Sequence, residues 1–131
     1  MLQVLLACGA DVTDCGFMNS VHSAAIFYSE CPALTEIPML KLLLESVPQG
    51  TARDALALRP CEDAGADVLS HAAGSAAAVT YLLASAGLGR TALHEMLTRR
   101  DLTNAGCVHN ACWRHNAATL GLFLSAGASF W

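Results

Sequence analysis

An all-α fold is predicted by three observations. The 131-residue chain is 54% hydrophobic but only 6% aromatic, and Ala and Leu carry most of that apolar content. Both residue types favour helices, and alanine lets paired helices approach closely. Short Leu-rich segments end on glycine, which takes the left-handed conformation that closes a helix. The length suits one domain with a continuous core.

Helices are expected near 1–7, 19–28, 39–46, 51–58, 68–74, 76–85, 91–99, 107–115 and 117–125. The 1–7 segment stops at Gly9. Pro32 and Pro38 end one helix and start the next, leaving a lengthened loop between 19–28 and 39–46. Thr51 to Leu58 is a short helical piece between turn signals, stopped by Pro60. Gly87 closes the 76–85 segment, and Thr91 offers a hydroxyl cap for the next one. Leu93 and Met96 are three apart and share a core face. Gly127 closes the last segment.

Two phrases alternate along these elements. One is a Leu-rich helix end: Val4-Leu5-Leu6-Ala7-Cys8-Gly9-Ala10-Asp11-Val12, Tyr81-Leu82-Leu83-Ala84-Ser85-Ala86-Gly87, and Leu122-Phe123-Leu124-Ser125-Ala126-Gly127-Ala128-Ser129. Leu42-Leu43-Leu44-Glu45-Ser46-Val47 is the same phrase without the glycine. The other is a helix start with histidine in its first turn: Ser20-Val21-His22-Ser23-Ala24-Ala25, Thr91-Ala92-Leu93-His94-Glu95-Met96, and Cys107-Val108-His109-Asn110-Ala111-Cys112. Val68-Leu69-Ser70-His71-Ala72-Ala73 is a shifted version.

Together these phrases resemble the ankyrin repeat, whose unit opens on Thr-Pro-Leu-His-x-Ala and closes on a Leu-rich helix ending in Gly. The unit at 106–131 fits best, with 18 residues from His109 to Gly127. The resemblance implies a helix-turn-helix repeat solenoid with irregular loops. Its units lie at about 1–12, 13–47, 65–88, 89–105 and 106–131, and 48–64 is an insert or an eroded repeat. The pattern is uneven: His94 and His109 are only 15 residues apart, too few for a two-helix unit. Both chain ends, including Phe130 and Trp131, are expected to pack on further repeats.

The resemblance also implies function. Repeat arrays bind other proteins on finger loops and the exposed side of the first helices. By position, the partner-binding candidates are Phe17, Met18, Arg90, Glu95, Arg99, Arg100, Asn110, Trp113 and Arg114. Trp113 and Arg114, beside Arg99 and Arg100, form the best single patch, because Trp and Arg are common interface anchors. Trp113 could equally cover the seam to a neighbouring repeat. His22, His94 and His109 are expected to be structural, with neutral rings hydrogen-bonded to loop backbone.

Cys107, His109, Cys112 and His115 are four potential zinc ligands within nine residues, giving a zinc-stabilised variant as an alternative. One continuous helix strains their convergence, and no metal or cofactor is expected. An enzyme site in the 47–67 stretch would have to use Asp54, Glu62 and Asp63, which read more simply as solvated charges. Net charge is −4, with seven Lys and Arg spread along the chain, so no nucleic-acid footprint is present. No apolar run approaches the roughly 20 residues of a membrane-spanning helix. The opening residues lack the basic region of a signal peptide. The six cysteines include no CxxC pair. Reduced thiols in an intracellular, cytoplasmic protein are therefore expected, as a monomer or part of a longer chain.

Overall fold

The computed structural model describes residues 20–61 and 65–128. The expected helix at 1–7, the unit at 1–12, and residues Phe17, Met18, Glu62, Asp63, Phe130 and Trp131 lie outside them. The described residues form eight helices and no strand. They are α1 (Ser20–Glu30), α2 (Pro38–Glu45), α3 (Thr51–Leu58), α4 (Val68–His71), α5 (Ala76–Thr80, continuing as a π turn over Tyr81–Ser85), α6 (Arg90–Thr98), α7 (Cys107–Trp113) and α8 (Ala117–Ser125).

Local chemistry sets the boundaries. Pro38 opens α2 at a position where its missing N–H costs nothing. Asp67, Ser75 and Asn116 cap α4, α5 and α8, accepting the amides of Ser70, Ala78 and Thr119 at 3.1 Å each. Gly87 and Gly127 follow α5 and α8 with φ of 74° and 103°, as the glycine-ended phrases predicted. Helices α4 and α7 stop earlier than expected. After α7 the backbone turns at His115 (φ 53°), and Asn116 is already the cap of α8.

Packing follows two rows and a pair. Helices α1, α4 and α7 lie side by side in sequence order. Behind them, α2 packs on α1, α8 packs on α7, and α5 packs on α8. Helices α3 and α6 come from the connecting stretches and pack on each other. The core runs through all of these layers. Val21, Leu40, Leu44, Leu69, Leu82, Met96, Val108 and Phe123 are fully buried.

The row seams are held by small polar side chains bonded to carbonyls. Between α1 and α4, Ser29 Oγ donates to His71 O (2.6 Å) and accepts the Gly74 amide (2.7 Å). On the α8 side, Thr119 Oγ1 donates to Ala73 O (2.6 Å) and Asn116 Nδ2 to Gly74 O (2.8 Å). Glycine is required at position 74. A Cβ there would lie 2.4 Å from Ser29 O.

Candidate functional site

The three repeat histidines have three different environments. His22 is buried, and its Nε2 is 2.7 Å from Arg59 O in the stretch after α3. Burial pulls its pKa down, with the Arg59 charge adding to the effect and the carbonyl bond opposing it. His109 accepts the Gly106 amide on Nδ1 (3.1 Å), so it caps its own helix. The Arg100 guanidinium sits 3.0 Å from the same nitrogen. His94 departs from expectation: it lies on the exposed side of α6, and its ring has no hydrogen-bond partner among the described residues.

A fourth histidine occupies the α1–α4 seam. His71 faces His22 with ring centroids 5.2 Å apart, and its Nε2 is 3.2 Å from the Cys61 sulfur. Burial, with help from the neighbouring His22 and Arg114 charges, pushes His71 down to about 4. The pair is thus a neutral imidazole beside a buried thiol. Only the shifted Ser70-His71 phrase pointed to this contact, and nothing in the sequence linked it to Cys61.

Arg99 and Arg100 do not form an open patch with Trp113. Arg99 turns inward: its Nη1 donates to Leu58 O and lies 4.0 Å from Asp67 Oδ2, while Nη2 is 3.7 Å from Glu95. It ties α6 to the end of α3. Arg100 is spent on His109 and the Asn104 carbonyl. Arg90 and Glu95 are exposed on α6. Asn110 is half-buried and bonds Gly106 O through Nδ2 (3.0 Å).

Trp113 and Arg114 remain as an open surface. Trp113 is 82% exposed at the end of α7, and Arg114 beside it is exposed too. No seam within the described residues is covered by Trp113. Val108, His109, Cys112, Trp113 and His115 line a shallow depression there.

The possible zinc ligands do not converge on one point. Cys107 is buried and its thiol points to Leu97 O (3.7 Å), with burial pushing its pKa to about 12. His109 is committed to the helix cap, while Cys112 and His115 are exposed. Among the described residues no three His, Cys, Asp or Glu side chains could hold one ion. Of the acids in the 47–67 stretch, Asp54 accepts the Gly89 amide (2.9 Å) at the start of α6. The adjacent groove, lined by Val47, Ala52, Ala55, Leu56, Leu58 and Arg59, holds no histidine.

The four cysteines of the described residues are free thiols. No helix among these residues is long and apolar enough to cross a membrane. No protein-family model matches the chain, and no curated protein sequence matches it.

Proposed function

We propose that this chain is a protein-interaction scaffold of ankyrin-like helix hairpins. It engages a partner protein through the exposed face of α7, with Trp113 as the anchor and Arg114 beside it. The observation that carries the reading is the exposure of Trp113, 82% in a chain otherwise poor in aromatics. Exposing a large indole costs solubility, and burying it on a partner returns that free energy. The row of α1, α4 and α7 supports the ankyrin-like part, because stacked first helices make an extended surface in such arrays.

Capture of bound proteins on the immobilised chain, followed by mass spectrometry, tests it. Trp113→Ala should weaken capture by at least about tenfold, and Arg114→Ala by less. Retained capture in both variants, with loss on Lys41→Ala at the α2–α5 groove, would move the binding surface to the other side of the molecule.

A further inference from the structure

The start of α7 is held by a ring that has to lack a proton on one nitrogen. Gly106, the residue before the helix, has no side chain with which to cap it. The Gly106 amide donates to His109 Nδ1 at 3.1 Å. Arg100 Nη1 reaches the same nitrogen at 3.0 Å. Both groups are donors, so Nδ1 must offer its lone pair and the imidazole must be neutral. The ring is half-buried and lines the depression beside Trp113.

The loop on the other side of this contact is braced as one piece. Asp101 Oδ1 accepts the Thr103 amide (2.8 Å), the Thr103 hydroxyl (2.6 Å) and the Ala105 amide (3.0 Å). The Asp101 amide closes the loop on Ala105 O (2.9 Å). Among the described residues, the contact of Arg100 with the His109 ring is the one side-chain hydrogen bond from residues 99–105 to α7. The ionisable groups around the ring are Arg100 and Asp101 of this loop, and Cys112 and His115 of the same depression. Helix α8 carries none. On α4, His71 is turned to His22 and Cys61, and Arg114 acts on it from the end of α7. On α6, Arg99 is turned to Asp67 and Glu95.

We infer that His109 is a proton-operated latch between the 99–105 loop and α7. A proton on Nδ1 turns the acceptor into a donor that faces two other donors, so the Gly106 amide and Arg100 lose their partner together. It also sets an imidazolium against a guanidinium at contact distance, which drives Arg100 off the ring. The loop then parts from α7, and the first turn of the helix loosens. The latch is closed while the ring is neutral and opens as the ring takes its proton. In this way pH sets the shape and the charge of the surface around Trp113.

Nuclear magnetic resonance of the full chain from about pH 8 to pH 5, the interval in which imidazoles change charge, tests the latch. The Gly106 amide and Arg100 side-chain signals should shift with the same midpoint as the His109 ring. Protection of the Gly106 amide against hydrogen exchange, corrected for the intrinsic pH dependence, should fall by at least about tenfold across that midpoint. The Ala78 and Thr119 amides, held by Ser75 and Asn116, should keep their protection. His109→Gln should stay latched at every pH, because a glutamine oxygen at this helix position accepts the same amide and takes no proton. In Arg100→Gln, which removes the repelling charge, the Gly106 amide should be released at higher pH. Circular dichroism checks that both variants stay folded. A ring that takes no proton across the interval overturns the inference. So does a Gly106 amide that keeps its protection while the ring titrates, or a His109→Gln chain with the pH response of the unaltered one. None of these outcomes depends on whether Trp113 binds a partner.

Discussion

Asp67 is fully buried, and only one of its two oxygens is hydrogen-bonded, to the Ser70 amide. The other faces Arg99 at 4.0 Å, too far for a hydrogen bond. Burial dominates and lifts this carboxyl from 3.8 to about 6. The folded chain therefore holds the proton more tightly than the unfolded chain. Stability from this group is present at low pH and is lost as pH rises through 6, at a cost of about 3 kcal/mol. His71 acts in the opposite sense. Its pKa falls from 6.5 to about 4, so its stability is present above 6.5 and is lost as pH falls toward 4. Asp67→Asn keeps the cap oxygen and removes the buried charge. It should raise stability at pH 7.5 by about 1–2 kcal/mol. It should also steepen the loss between pH 6.5 and 4, because the histidine effect is no longer offset. Urea midpoints at three pH values check both signs, and equal midpoint shifts at every pH would refute the assignment. Two glycines give a second contrast at this scale. Gly74→Ala drives a methyl into Ser29 O and should cost about 3 kcal/mol or more. Gly121 lies inside α8 with open space around it, so Gly121→Ala should add up to about 1 kcal/mol. Thermal unfolding of the pair is the measurement.

At the scale of elements, α3 is fastened by two neighbouring side chains. Arg53 donates from Nε and Nη2 to Val47 O (3.1 and 2.9 Å) and from Nη1 to Ala86 O (2.7 Å). Asp54 takes the Gly89 amide. The two thus grip both sides of the Gly87 turn. Arg53→Ala should cost about 2 kcal/mol, and Arg53→Lys should recover little, because one ammonium cannot span both carbonyls. Denaturant titration of the two variants distinguishes this from a loss of packing alone, in which case lysine would recover most of it. Among the described residues, helix existence and most boundaries were legible in the sequence because they depend on adjacent residues: Pro38 and Gly87 act within a few positions of themselves. The early stop of α7 was not, because His115 adopts a conformation that glycine usually supplies.

For the whole molecule, the class was readable and the wiring was not. Alanine and leucine content gave all-α, and the described residues are all-helical. The pairing of α3 with α6, the inward turn of Arg99 to Leu58 and Asp67, and the His71–Cys61 contact join residues from separate phrases. Spacing within one phrase holds no trace of them. Trp113 was legible as a residue of interest, while its outward setting depends on what lies beside α7. The seams have one more consequence. The Gly74 amide lies between α4 and α5, and its hydrogen goes to the Ser29 hydroxyl of another layer. Deuterium can replace that hydrogen only when α1 parts from α4, whereas a helix amide also exchanges by fraying. This one amide is a clock for separation of the layers, and its exchange rate reads the α1–α4 seam without contributions from the helices themselves.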